Sequence, residues 1–156
     1  MKYMTRRLRH VLDKLQDVIL EEVTKSDCEF LYELLKTRGS LASISHKELP
    51  TYDEHVKFVM KKPYAKWYVI KFGNKRVGST YLSLQDEIGI FIKKEFQRNG
   101  IGKKAVRLLM KKNPRMRYLA NVAPNNKKHQ EFFKKLGFTG LQYTYEIINP
   151  EIVKLK

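Results

Sequence analysis

The chain has 156 residues, 42% of them hydrophobic, with 32 Lys and Arg against 16 Asp and Glu and a formal net charge of +16. That length bounds one domain with a real core; the lone Cys28 excludes an intrachain disulfide and a cysteine-based zinc cluster, so no metal is expected. Arg9, His10, Asp13 and Lys14 interrupt the apolar positions a secretory segment needs, and no apolar run reaches the length of a membrane span, so a cytoplasmic protein without a membrane partner is expected.

Met4, Leu8, Val11, Leu12 and Leu15 fall at helical spacing, with Arg6, Arg7, Arg9 and Lys14 off that stripe. Residues 1–16 therefore read as a basic helical extension that packs on the domain or on a second subunit, and residues 17–156 as a single domain, monomer or homodimer. Val18-Ile19-Leu20-Glu21-Glu22-Val23 reads as a first strand. Ser26 or Asp27 is placed to cap a helix carrying Phe30, Leu31, Leu34 and Leu35, with Glu29 completing a capping box after Ser26 and Gly39 closing the helix. Thr51 or Asp53 is placed to cap a second helix with Val56, Phe58, Val59 and Met60, ended by Pro63. Trp67–Phe72 and Arg76–Leu82 flank Gly73-Asn74-Lys75 as a hairpin, and Glu87 to Ile92 forms the next strand.

A helix is expected from about Ile101 to Lys111 before Pro114, then a strand from Tyr118 to Val122, a helix from Lys127 to Leu136 closed by Gly137, and a last strand from Leu141 to Ile147. This order of strand, two helices, three antiparallel strands, helix, strand, helix and strand is an α/β (α+β) arrangement: a mixed, mostly antiparallel central sheet with helices on both faces.

The chemistry concentrates at Gln97-Arg98-Asn99-Gly100-Ile101-Gly102, between the apolar strand Ile88-Gly89-Ile90-Phe91-Ile92 and the basic helix opened by Lys103. A strand running through a glycine-containing turn into a helix collects free backbone N–H groups at one point, which is a phosphate site. It is not a P-loop, because Lys104 stands where Ser or Thr is required, and not the dinucleotide fingerprint, because Ala105 replaces the third glycine.

Gln-x-x-Gly-x-Gly after an apolar strand resembles the acetyl-CoA pyrophosphate loop of the GCN5-related N-acetyltransferases. Asn121-Val122-Ala123-Pro124-Asn125-Asn126, followed by Phe132-Phe133-Lys134-Lys135-Leu136-Gly137-Phe138, resembles that family's later motif, in the family's order and spacing. The resemblance spans about Val18 to Ile147. It implies acetyl-CoA as co-substrate, with main-chain groups of Ile90, Phe91 and Ile92 pairing with the pantetheine arm. The turn from Gln97 through Arg98, Asn99, Gly100, Ile101 and Gly102 to Lys103 would hold the pyrophosphate, and Asn126 would contact the arm or cap its helix. A backbone N–H near Ile90 would stabilise the oxyanion formed when an amine attacks the thioester.

Two proton movements remain to be assigned. A lysine-like amine, with a pKa of about 10, must be deprotonated, and a thiolate with a pKa of about 8.5 must leave. Family members often carry a general acid Tyr four residues before the Leu-Gly-Phe glycine. Here that cofactor-facing position is Phe133, so Tyr143, Tyr145, water or unassisted departure must serve. The resemblance makes Glu87 a candidate base acting through water, alongside a reading as a solvated strand-end carboxylate. His55 titrates in a useful range, and Ser45-His46 and His55-x-x-Phe58 resemble the acceptor-side helices of members acting on sugar amines and ribosomal proteins. A hydrogen-bonded core histidine fits equally. The family prefers a small residue where His129 stands.

The expected function is acetyl transfer to a primary amine of an amino sugar, protein or peptide, by direct attack in a ternary complex. The alternative is a nucleic-acid-associated protein of the same fold. Ten Lys or Arg and one acid, Glu95, lie between Lys93 and Arg117, enough to attract a polyanion, although a lysine-rich solvated surface accounts for them as well.

Overall fold

The computed structural model describes residues 17–38 and 48–145. The expected helix over residues 4–15, the stop at Gly39, the pair Ser45-His46 and the end of the last expected strand lie outside the described residues. Strands β1 (Val18–Glu22), β2 (Lys66–Phe72), β3 (Lys75–Leu82) and β4 (Ile88–Ile92) form one sheet in the order β1-β2-β3-β4, every pair antiparallel. Helices α1 (Cys28–Lys36) and α2 (Tyr52–Met60) precede β2, and α3 (Ile101–Lys112) and α4 (Lys127–Lys135) follow β4.

The strand alternation divides the helices between two faces. Leu20, Ile70, Leu82, Ile88 and Ile92 point to one side and join Ile101, Ala105, Val106 and Leu109 of α3 and Phe133 of α4 in the larger core. On the other side Cys28 and Leu31 of α1 and Val59 of α2 form a second cluster, against which Trp67 packs. The hydroxyl of Tyr68 and the side chain of Asn113, just past α3, exchange a buried hydrogen bond at 3.1–3.3 Å, which ties the end of α3 to β2.

Local signals account for the ends of the elements. Thr51 Oγ1 accepts from the Glu54 N–H while Glu54 Oε2 accepts from the Thr51 N–H, the capping box that starts α2. Before α1 the box is shifted upstream: Thr24, in extended conformation, pairs with Asp27 across a 3-10 turn over Lys25–Asp27, so neither Ser26 nor Glu29 takes the expected part. Gly73, at φ 58, opens a two-residue hairpin loop, and Lys75 belongs to β3. Gly137, at φ 97, ends α4 with the Phe138 N–H donating to the Phe133 carbonyl.

Among the described residues two expected strands are not seen. Residues 118–122 make a single parallel bridge, Leu119 to Glu87, because the chain is held at Tyr118 and then diverges from β4. The Tyr118 hydroxyl bonds the Met110 and Asn113 carbonyls and receives the Arg115 N–H. The parallel component of the mixed sheet is that one bridge. Residues 141–145 are irregular and exposed rather than a strand.

Candidate active site

The site is built on the outer edge of β4. The Lys93 N–H donates to the Val77 carbonyl at 2.8 Å and the Ser83 N–H to the Glu87 carbonyl at 2.9 Å. Bonded pairs alternate along an antiparallel ladder, so Gly89 and Phe91 direct their main chain to β3 while Ile88, Ile90 and Ile92 direct theirs outward. The Phe91 carbonyl oxygen indeed lies only 2.2 Å from where a side chain on Gly78 would begin. Phe91 therefore cannot offer its main chain to a ligand, contrary to expectation, whereas Ile90 and Ile92 can. The Ile88 N–H is taken by the Leu119 carbonyl at 2.7 Å. Beyond that bridge the two chains splay, and the N–H and C=O of Ile90 and the N–H of Ile92 open into a V.

The V ends at the glycine turn that opens α3. A 3-10 turn over Lys94–Phe96 leads into Gln97, whose Nε2 donates to the Ile92 carbonyl at 2.8 Å and whose Oε1 accepts from Lys128 Nζ on α4. Gln97 is thus a strut between strand, turn and α4 rather than a free ligand-binding group. Arg98 and Gly100 both have positive φ, 65 and 75. For Arg98 that conformation is costly and marks a turn held in shape by its surroundings. Gly100 is the N-cap of α3, and the first helical bond comes from the Lys104 N–H to its carbonyl. The N–H groups of Ile101, Gly102 and Lys103 therefore point out of the helix end. A side chain on Gly102 would begin 3.2 Å from the Phe132 ring, so glycine here keeps the helix tip close to α4. Asn126 caps α4 by accepting from the His129 N–H at 3.1 Å.

At the other end of the V, Glu87 is fixed: Oε1 accepts from Asn121 Nδ2 at 2.8 Å and Oε2 from the Ser83 hydroxyl at 3.3 Å. An aromatic wall stands beside it. The Tyr81 and Tyr64 rings stack at 3.9 Å and 7°, and Tyr64 meets Trp67 edge-on at 5.0 Å. Burial pushes the Tyr64 hydroxyl up to about 12, and burial likewise raises Tyr81.

The remaining candidates land elsewhere. His55 is buried on α2, its Nε2 3.1 Å from the Cys28 carbonyl and its ring 5.2 Å from Tyr32; burial lowers its pKa. It clamps α1 to α2 and is not at the V. Phe133 is 5% exposed and sits among Phe132, Phe138 and His129 as a core residue. Burial, with help from Arg38 and Lys128, lowers the His129 pKa. Tyr143 and Tyr145 are 88% and 91% exposed on irregular chain, and the structure does not bring them to the V. In the sequence Tyr81, Tyr64 and Lys128 carry no assigned role, and Asn121 stands only as the start of the later motif. Only the glycine inside β4, whose strand neighbour is Tyr81, was a visible signal, since a strand glycine often marks a close approach.

A strand edge opened beside a helix tip, with helices on both faces of the sheet, fits an acetyl-CoA-dependent N-acetyltransferase of the GNAT type. The family model described as "Acetyltransferase (GNAT) family" matches residues 28–138, and the chain belongs to that family. Among solved structures it is similar to a domain from Methanocaldococcus jannaschii DSM 2661 at 25% identity, covering 84% of this chain and 94% of that one with TM-score 0.70. An acetyltransferase from Thermus thermophilus aligns at 23% identity over 80% of this chain and 88% of that one, TM-score 0.66. An acetyl transferase from Salmonella typhimurium that modifies the N-terminal serine of ribosomal protein L7/L12 aligns at 20% identity over 85% and 87%, TM-score 0.63. The comparison with curated proteins returned no match. Among the described residues no helix is long and apolar enough to cross a membrane.

Proposed function

We propose that the chain acetylates a primary amine of a protein or peptide, with the amine set among acidic residues. The observation that carries the reading is the open edge at Ile90 beside the outward N–H groups of Ile101, Gly102 and Lys103. One accepts the pantetheine amide arm as a strand would be accepted; the other takes the pyrophosphate.

In the reaction the acceptor ammonium loses a proton through water to Glu87, whose orientation Asn121 and Ser83 hold. The neutral nitrogen attacks the thioester carbon, and the Ile90 N–H donates to the oxygen as it gains charge. The C–S bond then breaks with its electron pair on sulfur, the nitrogen gives up its second proton, and the coenzyme leaves carrying the sulfur. No residue needs to form a covalent intermediate.

The net charge of +16 favours the acceptor class. A surface of that sign concentrates acidic peptides and repels basic ones, and the Salmonella typhimurium relative acts on a protein N-terminus. The same charge supports the reading of a nucleic-acid partner. On α3 it includes Lys104, Arg107 and Lys111, which with Asp17, Val18 and Leu108 line a shallow cavity of about 250 Å³ away from the V.

The test is acetyl transfer, followed by mass spectrometry, to peptides with acidic or basic N-terminal sequences, to amino sugars and to tRNA. Acidic peptides should be favoured, with the preference fading as salt rises. Equal rates on acidic and basic peptides at low salt would sink the acceptor assignment while leaving the transferase standing.

A further inference from the structure

We propose that Tyr81 donates the proton to the departing thiolate, its hydroxyl reaching the cofactor edge because residue 89 has no side chain. This rests on the acetyl-transfer reading and fills the role that Phe133 cannot.

Tyr81 on β3 lies directly opposite Gly89 on β4. A side chain at Gly89 would begin 2.1 Å from Cζ of Tyr81 and 2.5 Å from its hydroxyl oxygen. The hydroxyl end of the ring therefore lies over the main chain of Gly89. That is one residue from Ile90, the point at which β4 opens toward the thioester. The ring is clamped between Gly89 and the stacked Tyr64, which Trp67 supports in turn. Tyr64 itself is one ring farther from β4 and cannot take the role.

The hydroxyl is also unoccupied by structural work. Tyr32, Tyr68 and Tyr118 bond the Pro50 carbonyl, Asn113, and the Met110 and Asn113 carbonyls respectively. Among the described residues the Tyr81 hydroxyl has no partner, and it is not sealed from solvent, since no buried side-chain oxygen lacks a hydrogen bond. Burial raises its pKa; the Arg38 charge opposes this and the Glu87 charge reinforces it. Burial thus favours its protonated form, that of a donor rather than a base.

The balance is simple. As the tetrahedral adduct collapses, the C–S electron pair goes to sulfur, and sulfur takes the phenolic proton. The phenolate recovers a proton from the nitrogen of the new amide through water in the V. One proton per turnover, that of the acceptor ammonium, reaches solvent.

Tyr81→Phe keeps the ring, the stack and the cover over Gly89. The assay uses hydroxylamine as acceptor, which is neutral at pH 7 and needs no base, so that thiol departure is the step probed. The rate should fall by roughly tenfold to a thousandfold with CoA affinity unchanged. In the CoA complex, thiolate ultraviolet absorbance should titrate at higher pH in Tyr81→Phe than in the parent, because a donor to sulfur is lost. Replacing Tyr81 by 3,5-difluorotyrosine should move the basic limb of the pH–rate profile to lower pH. Parent rate and parent thiol titration in Tyr81→Phe, with CoA still bound, would overturn the proposal and leave the transferase intact. Failure of the parent itself to bind CoA would overturn the cofactor site on which Tyr81 depends.

Discussion

The two ends of β4 use glycine in opposite ways. At the turn, Gly100 has nothing within 4 Å of where a side chain would begin, so its absent side chain leaves room and its φ of 75 aims the helix tip. At the other end the space over Gly89 is already filled by Tyr81. One glycine leaves open space, and the other lets a side chain occupy the space over its backbone. Anion recognition of the kind proposed needs bare main chain, whereas the proposed proton transfer needs a positioned side chain, and the two glycines, on β4 and at the tip of α3, would serve these two ends.

The largest expected break of this contrast is at the turn. Gly102→Asp brings a carboxylate to the helix tip and crowds Phe132. Saturating CoA should stabilise the parent by about 2.7 kcal/mol at a hundred times Kd, several degrees of melting temperature, and should leave the variant unmoved in a thermal-shift titration. Gly100→Ala adds only conformational strain, on the order of 1 kcal/mol, and should keep CoA binding. That pair separates charge from geometry.

At the opposite end Glu87→Gln should lower the rate roughly a hundredfold with an amine acceptor. The deficit should shrink as pH approaches the acceptor's own pKa, and a pH-independent deficit would remove Glu87 from the proton path. Gly89→Ala should destabilise the fold by about 1–3 kcal/mol, because the Tyr81 ring must leave its place; chemical denaturation measures it.

The smallest effect is a pH dependence of folding. Burial lowers the pKa of both His55 and His129. An unfolded histidine takes up a proton at about 6.5, while the folded forms resist. The stabilising effect is therefore complete above that pH and is lost as pH falls toward the folded values. Denaturation midpoints should decline over that interval, and His55→Gln should flatten the decline.

The helices on either side of the glycine turn could be read directly because their signals are local: Thr51 as a cap, Gly100 before a basic helix, Gly137 after one. The hairpin itself was legible at Gly73-Asn74, but its register was not: Lys75 pairs with Phe72, and a bulge shifts the pairing at Ile70 and Lys71. What could not be read depends on distance. Tyr118 bonds back to α3 and ends a strand before it forms. The capping pair before α1 lies at Thr24 and Asp27 because the chain leaves β1 extended. Gln97 serves as a strut only because Lys128 comes to it from α4. Tyr81 needed the pairing of β3 with β4 before its place over Gly89 had meaning. Phe91 is adjacent to two usable residues, yet strand alternation turns its main chain the wrong way.

The open edge of β4 bears on how the protein behaves in a tube. Unpaired strand edges invite other strands, and sheets usually blunt them with charge or brevity. The outer edge at β1 carries exposed Glu21 and Glu22, neutralised pairwise by Lys71 and Lys66. Among the described residues no such charged pair guards the β4 edge over Ile90. It is short instead: the Leu119 bridge stops it on one side and the Gln97 side chain caps the Ile92 carbonyl on the other. Barely two residues stay adhesive, too few to template a neighbouring chain, so light scattering at high concentration should hold steady until Gln97 or the Leu119 bridge is lost, and coenzyme should then act as the solubilising agent.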